Sequence, residues 1–365
     1  MWIYFTLSFY IILTALWNKI VINSRHVYLF LTLGLLGFLS AFRSSSIGND
    51  TATYLYLFTI SPDFELELFD SRYEVGYVLL NKVLNLITPN PQIILIASSI
   101  LIICGFYRFI IKYSEIPWIS TFLFFALGYW GQMMNTIRQN IAIVILLLSY
   151  DFIKKKKVLP FILLVLFASL FHRTAIIFLL AYPIAQLKFN LKTVLTSLAI
   201  AVSGLTFFGP LLELALGIFP LYQYYLGGVY LDDNIRLATI LNIIVITFIL
   251  LFGRFIVQKQ FGKQSNIDQP KNFSQVDYRI FSLFILVGIV IEIISMKFSL
   301  LNRVGVYFSV FLIAYLPNVI NSIRDKNLRT LIIMIVVLLF FLYSTVIQIY
   351  RPEWNDIYPY QFFWQ

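Results

Sequence analysis

Long apolar runs separated by short polar connections make up most of the chain. A helix that crosses the hydrocarbon core of a bilayer needs about 20 mostly apolar residues, within a range of roughly 17 to 25. Twelve runs predict such helices: 2–18, 27–42, 91–111, 117–134, 138–153, 158–171, 174–187, 191–209, 237–257, 279–296, 304–322 and 330–350. The short runs 158–171 and 174–187 predict either two steep spans or a broken re-entrant pair. The predicted fold class is an all-α polytopic membrane protein with about 12 transmembrane helices.

Two connections are longer than the others. Residues 43–90 contain helix-like stretches and predict a long outer loop that carries short helices. Residues 258–278 are polar, with Gly, Asn and Pro, and predict a cytoplasmic loop. No repeat of fixed period divides the chain, so we predict one integral membrane domain over residues 1–365.

Composition supports lipid as the solvent of this chain. Apolar residues make up 60% and charged residues 12% of it, whereas soluble domains have about a quarter charged residues. The single cysteine, Cys104, permits no intramolecular disulfide. The supply of His and Cys is too small for a transition-metal cluster, while acidic residues in 43–90 leave an oxygen-ligated Ca²⁺ or Mg²⁺ open. We predict no metal and no other cofactor.

Basic residues divide unevenly between the two sides that twelve spans define. Eighteen of the 27 fall on one side: Lys19, Arg25, Arg108, Lys112, Lys154, Lys155, Lys156, Lys157, Lys188, Lys192, Arg254, Lys259, Lys263, Lys271, Arg279, Arg324, Lys326 and Arg329. By the positive-inside rule this side is cytoplasmic, so both termini are predicted to face outward. The net charge of +10 is largely this topology signal, and it requires no nucleic acid partner.

The outer side is richer in arginine than in lysine. Its nine basic residues include seven arginines: Arg43, Arg72, Lys82, Arg138, Arg173, Arg236, Lys297, Arg303 and Arg351. Arginine presents a planar fork that binds phosphate oxygens in pairs, whereas lysine is a strongly hydrated point charge. The outer face is therefore the predicted working face.

The start of the outer loop combines an arginine with a carboxylate. Asp50 and Tyr54 share a face if a helix begins near Asp50, and Arg43 would stand close to them at the end of the second span. Such a pair can bind a phosphate and hold a general base beside it. Alternatively, Asn49 or Asp50 caps the helix and Arg43 extends to the interface.

Two further acid–base candidates interrupt apolar sequence. Glu74 fits a capping box at the third helical position, or serves as a catalytic or substrate-binding carboxylate. His172 lies between two apolar runs. An imidazole, whose unperturbed pKa is about 6.5, can take a proton from a sugar hydroxyl, although a structural histidine at the interface is the alternative.

Other candidates lie at the predicted outer ends of spans. Arg138 and Gln139 belong to a polar stripe with Gln132 and Asn135, and a guanidinium at such depth normally faces a partner or a wet cavity. Arg303 and Tyr307 are four residues apart at the start of a span. The aromatic residues of 354–364 either stack on sugar rings or anchor the chain at the membrane interface.

These motifs, in this order, resemble the EpsG family of Wzy-type polymerases of bacterial exopolysaccharide and capsule. The similarity runs from about residue 40 to residue 365. The segments that carry it are Arg43…Gly48-Asn49-Asp50-Thr51…Tyr54, Glu74-Val75-Gly76-Tyr77, Ile137-Arg138-Gln139-Asn140-Ile141-Ala142, Phe171-His172-Arg173-Thr174-Ala175, Asn302-Arg303…Tyr307-Phe308 and Tyr358-Pro359-Tyr360.

The resemblance implies a membrane glycosyltransferase with a glycosyltransferase C-like fold in the bacterial cell membrane. The implied reaction transfers a growing glycan from undecaprenyl diphosphate to a hydroxyl of the next lipid-linked repeat unit at the outer face. A flippase and a chain-length regulator of the same pathway are the implied protein partners. Within this reaction we expect Arg43, Arg138 and Arg303 to hold the diphosphate. Asp50 and His172 compete as the base, and Tyr54, Glu74, Gln139 and Tyr307 are expected to bind substrate.

Three other functions remain open from sequence, one of which is a non-catalytic scaffold for a synthesis complex. An O-antigen-type ligase would perform the same chemistry on a different acceptor. A transporter or flippase of lipid-linked oligosaccharide would use intramembrane polar groups, and Glu292 is the carboxylate within a span that suits such a carrier.

Overall fold

The computed structural model describes residues 2–64, 73–218, 223, 237–261 and 275–365. Within them the regular structure is helical, and Arg43 and Phe362 form an isolated antiparallel bridge. The α-helices are α1 (Trp2–Val21), α2 (Arg25–Ala41), α3 (Thr51–Ile60), α4 (Val75–Asn85), α5 (Gln92–Tyr113), α6 (Pro117–Ala126), α7 (Tyr129–Asn135), α8 (Ile137–Lys154), α9 (Val158–Ser169), α10 (Ala181–Ile184), α11 (Leu191–Thr206), α12 (Phe208–Ile218), α13 (Leu237–Phe261), α14 (Gln275–Ile294), α15 (Asn302–Ser309), α16 (Leu312–Asn321) and α17 (Lys326–Tyr350).

The apolar runs predicted from sequence are helical over most of their lengths, so the all-α prediction is confirmed for the described residues. Among these residues, four helices are long and apolar enough to cross a membrane: α1, α5, α13 and α17. The number rises to six if two bent pairs, α11 with α12 and α15 with α16, each count as one span. The total of twelve spans stays a prediction.

One predicted span is divided by a glycine. Gly128 has a φ of 83°, a left-handed conformation that L side chains avoid and glycine adopts at little cost. This residue ends α6 and begins α7, so the run 117–134 is two short helices in place of one. A pattern of apolar residues does not show such a break, because both halves remain apolar.

The helices expose large apolar side chains that water would not accommodate. On α17, Leu331, Met334, Leu338 and Leu342 are all exposed. A soluble protein rarely leaves a contiguous apolar surface of this kind uncovered. The exposed face of α17 therefore supports lipid as its surroundings.

The chain divides into two compact units. The first comprises Met1–Ile176 and Ile323–Gln365, and the second comprises Ile177–Ser322. In the first unit α5 packs against both α2 and α8, and α8 packs against α9. In the second unit α14 packs against α11, α13 and α15. The prediction of one domain over residues 1–365 stays a prediction.

The connection between α2 and α5 carries the short helices α3 and α4, while its outer location stays a prediction. α4 begins at Val75, so Glu74 precedes the helix and is not its third residue. The Glu74 side chain makes no capping bond to α4, because it is bonded elsewhere. The capping-box prediction is therefore wrong for Glu74, and Ser71 lies outside the described residues. Most of the predicted cytoplasmic loop 258–278 also lies outside them.

Candidate active site

Glu74 joins two basic side chains from distant parts of the sequence. One carboxylate oxygen, Oε2, accepts a hydrogen bond from Nη1 of Arg138 at the start of α8. The other, Oε1, lies 3.2 Å from Nδ1 of His172 and accepts from the backbone N–H of Arg173 at 3.3 Å. An arginine, a carboxylate and a histidine predicted separately from sequence thus form one cluster in the first unit.

A break in the helical backbone positions Arg138. Thr136 is non-helical between α7 and α8, and Arg138 is the second residue of α8. The guanidinium lies 5.6 Å from the ring centroid of Tyr73, a cation–π distance, and also donates to the hydroxyl of Tyr54. About a quarter of the Arg138 side chain, 24%, is exposed. The group is therefore oriented by protein contacts and remains accessible to a ligand.

Close backbone packing brings His172 to Glu74. His172 lies in the turn after α9, and the Gly76 N–H donates to the Leu170 carbonyl at 2.8 Å. A Cβ at Gly76 would lie 2.8 Å from that carbonyl oxygen, so glycine is required for this approach. The start of α4 and the end of α9 therefore meet, which places Glu74 against His172.

The electrostatics of the cluster favour an ionised carboxylate. Burial alone would raise the pKa of Glu74, because a low dielectric disfavours the charged form. The hydrogen bond with His172 and the positive charge of Arg138 outweigh burial and lower the pKa to about 2. Glu74 is therefore charged at any physiological pH, and it can hold both partners continuously.

Arg43 lies beside the cluster in a closed environment. Its side chain is fully buried. The guanidinium donates to the Thr51 hydroxyl at 3.1 Å, to the Met134 carbonyl at 3.0 Å and to the carbonyl of Ser40. Burial lowers the pKa of Arg43 to about 10, which still leaves it charged near neutral pH. These contacts tie α2, α3 and α7 together and leave no surface for a diphosphate, so the arrangement favours a positioning role.

The remaining predicted residues of the outer loop and α8 lie around this centre. The helix predicted near Asp50 is α3, and the Asp50 carbonyl accepts from the Tyr54 N–H at 3.0 Å. Tyr54 is buried, and its ring meets that of Tyr77 edge-on at 5.7 Å. Gln139 is buried next to Arg138. The structure thus brings Tyr54 to the cluster, and the roles of Asp50 and Gln139 stay predictions.

Arg303 and Tyr307 belong to the second unit. Both lie on α15, where Arg303 is exposed and Tyr307 is buried. Beside them, Oε1 of Glu292 accepts from the side-chain amides of Asn242 at 2.7 Å and Asn302 at 2.8 Å. That Arg303 shares a diphosphate site with Arg138 stays a prediction.

Sequence reasoning missed the connecting role of Asn135. Its Oδ1 accepts from the Asn49 N–H at 2.5 Å, and its Nδ2 donates to the Asn355 carbonyl at 2.9 Å. The residue therefore joins the 44–50 loop and the C-terminal segment (residues 351–365) to the end of α7, three residues before Arg138. Its place in the polar stripe was the available signal, but its partners are too distant in sequence to be recognised.

Comparison with known proteins adds one positive finding. A family model described as the EpsG family matches residues 26–362, nearly the whole chain. That range includes every residue of the Glu74 cluster. No curated protein and no solved structure matches the chain.

Proposed function

Because the chain belongs to the EpsG family, a family of Wzy-type polymerases, we propose that it elongates a bacterial polysaccharide at the outer face of the cell membrane. The family implies a membrane polysaccharide polymerase. In the specific reaction that we propose, a growing glycan leaves undecaprenyl diphosphate and joins a hydroxyl of the next lipid-linked repeat unit.

The cluster of Glu74, Arg138 and His172 carries this proposal. The acceptor hydroxyl oxygen attacks the anomeric carbon of the donor, and the bond from that carbon to the diphosphate oxygen breaks. The diphosphate leaves with the bonding electron pair, so negative charge grows on its oxygens. Arg138 stabilises this charge, because an oriented guanidinium in a poorly hydrated site acts strongly on a developing anion.

His172 takes the proton of the acceptor hydroxyl in this mechanism. Oε1 of Glu74 lies 3.2 Å from Nδ1, so a proton on Nδ1 is favoured by the carboxylate and Nε2 is left as the basic atom. Asp50 is the other base predicted from sequence. We favour His172 because a shared carboxylate holds it beside the arginine that binds the leaving group, within the same cluster.

The guanidinium of Arg138 suits the site to a diphosphate donor. Arg138 remains partly exposed while Glu74 holds one of its nitrogens. Its Nε is buried and makes no hydrogen bond within the described residues. Tyr54 and Tyr73 restrict the guanidinium on two sides, and Arg43 holds α3 and α7 in place behind it.

The test is a comparison of arginine variants in a strain that lacks the chromosomal gene. Arg138→Ala should abolish polymer and leave the single-repeat glycolipid to accumulate, because the developing diphosphate charge is no longer stabilised. Arg108→Ala is the matched control, since Arg108 also pairs with a carboxylate, that of Asp151 at 2.9 Å, outside the cluster. Gel analysis of the glycans should show normal chains for the control.

Polymer of normal length from Arg138→Ala would reject the assignment of this site. If the deletion strain itself accumulated no single-repeat glycolipid, the polymerase reaction would be wrong. Ligation of the glycan to a different acceptor in a reconstituted assay would identify an O-antigen-type ligase instead.

A further inference from the structure

The C-terminal segment alternates between inward and outward side chains. Asn355 and Ile357 are buried, whereas Trp354, Asp356 and Tyr358 are exposed. We name these three outward residues the exposed row. Trp354 is 41% exposed and Tyr358 is 53% exposed.

Backbone hydrogen bonds hold this segment in place. The Gly48 N–H donates to the Asp356 carbonyl at 2.8 Å, and the Ser44 N–H donates to the Gln361 carbonyl at 2.9 Å. The side-chain amide of Asn49 donates to the carbonyls of residues 353 and 354, at 3.0 and 3.1 Å. The exposed row is therefore presented on an ordered backbone, and its exposure does not result from a loose chain end.

The exposed row has no side-chain partner in the described part of the chain. Neither ring contacts another ring, and the Asp356 carboxylate makes no hydrogen bond or ion pair there. The rings farther along the segment differ. Trp364 stacks on Phe362 with centroids 4.5 Å apart, and Phe363 stacks on Phe42 at 6.0 Å. Of the two groups of rings, only Phe362, Phe363 and Trp364 adjoin the apolar surface at the end of α2.

The carboxylate within the row indicates what it binds. Asp356 lies between the two rings, whereas the preceding Glu353 is paired with Arg351 at 3.4 Å. An aromatic anchor at the membrane interface has no use for a carboxylate between its rings. A sugar instead offers an apolar face that packs on an aromatic ring and hydroxyls that donate to carboxylate oxygens.

We propose that the exposed row is a binding site for the glycan chain, with Trp354 and Tyr358 packing on sugar rings and Asp356 accepting from their hydroxyls. The inference rests on the proposed function, because it assigns the same polymeric substrate a second place of contact. Asn135 joins the segment to the helix end that precedes Arg138, so the site is built on the same loops as the catalytic cluster.

Binding can be measured directly with purified protein in nanodiscs. The probe is an oligosaccharide made by partial acid hydrolysis of the host's extracellular polysaccharide, titrated by calorimetry. Trp354→Ala/Tyr358→Ala should raise the Kd about 10-fold, because both stacking surfaces are lost. Trp354→Phe/Tyr358→Phe keeps the rings and should bind within about 3-fold of the unchanged protein.

The matched control lies in the same segment. Phe363→Ala/Trp364→Ala removes two rings of similar exposure that lack neighbouring carboxylates, and its Kd should change less than 2-fold. Equal weakening by both double substitutions, or no weakening by Trp354→Ala/Tyr358→Ala, would overturn the proposal. Quenching by brominated lipid gives a second measurement, made after Trp2 and Trp17, which are exposed on α1, and the partly exposed Trp118 are replaced by phenylalanine: Trp364→Phe should remove most of the quenching and Trp354→Phe should not. Strong quenching of Trp354 would identify a membrane anchor and also overturn the proposal.

Arg138→Ala separates this inference from the proposed function. That variant should bind the oligosaccharide normally while making no polymer. If Arg138→Ala still made polymer but the exposed-row variants lost binding, the catalytic assignment would fail and the glycan site would stand. If Arg138→Ala stopped polymerisation but the exposed-row variants bound normally, the catalytic assignment would stand and the glycan site would be rejected.

Discussion

The carboxylate of Glu74 contacts both Arg138 and His172. Its negative charge should therefore matter more to the activity of the site than its shape. Glu74→Gln preserves the side-chain volume but removes the negative charge that faces Arg138 and His172. Loss of a partner that orients a metal-bound imidazole costs about 10- to 100-fold, and we take the same range for the imidazole of His172. We expect polymerisation by Glu74→Gln to fall by that factor, as measured by incorporation of labelled repeat unit.

Two measurements distinguish this role from simple structural support. If Glu74 and Arg138 form one unit, Glu74→Gln/Arg138→Ala should lose less thermal stability than the two single losses added together.

The pKa of Glu74 also predicts a pH window. Because the folded pKa is about 2 and the ordinary value is 4.5, its contribution is full above pH 4.5 and is lost as pH falls toward 2. The difference in melting temperature between the unchanged protein and Glu74→Gln should shrink across that window. Additive losses and a constant difference would contradict the ion-pair role.

The residue types along the sequence predicted most members of this cluster as candidates, but they did not predict which members contact one another. Arg138 and His172 were recognised because charged or titratable side chains interrupt apolar sequence. Glu74 was assigned to a helix cap because its local pattern fits one, whereas contacts with residues about 60 and 100 positions away determine its orientation. Arg43 was expected to face a ligand, and the structure encloses it among backbone carbonyls.

At the scale of elements, the approach of α4 to the end of α9 depends on Gly76. A methyl group there would lie 2.8 Å from the Leu170 carbonyl oxygen and 3.0 Å from its carbonyl carbon, and backbone atoms cannot move aside cheaply. Gly76→Ala should separate Glu74 from His172, lower polymerisation to the level of Glu74→Gln and destabilise the protein by about 1–3 kcal/mol.

Gly34→Ala is the control for that substitution. Gly34 lies within α2, and a Cβ there would meet nothing within 4 Å. Alanine in a helix interior is more favourable than glycine by roughly 0.5–1 kcal/mol, so this variant should keep full activity and unfold at the same or a higher temperature. Full activity in Gly76→Ala would show that the contact between α4 and α9 does not position the site.

The sequence predicted the positions of the helices better than it predicted individual contacts. Apolar runs located the helices well, because burial in lipid requires long stretches without charge. They did not reveal the left-handed Gly128 that divides α6 from α7, nor the attachment of the C-terminal segment to the 44–50 loop. The first depends on one backbone angle and the second on hydrogen bonds across about 310 residues.

At the scale of the whole molecule, helix length bears on which helices cross the membrane. Several helices are shorter than a bilayer requires: α6, with 10 residues, is about 15 Å long against a hydrocarbon core of about 30 Å. The charge map depends on each crossing, because one crossing fewer would move every later connection to the other side. If one of the three runs between Arg43 and the lysine run 154–157 did not cross, these two groups would no longer face opposite sides.

Accessibility of single cysteines to an impermeant maleimide tests this topology. Cys104 is exposed, so it is first replaced by alanine, and single cysteines are then placed at exposed positions. Ser45→Cys should label in intact cells, because it lies in the predicted outer loop. Lys155→Cys and Lys188→Cys should label only after permeabilisation, since they lie in lysine-rich connections that the positive-inside rule holds in the cytoplasm. The Lys188 result is the more informative one, because it requires the short apolar helical stretch Arg173–Ile184, which ends in α10, to cross the membrane. Labelling of Lys188→Cys in intact cells, with Lys155→Cys protected, would make α9 and that stretch a crossing followed by a re-entrant turn. The span count would then fall below twelve, and the outer location of every later connection would need reassignment.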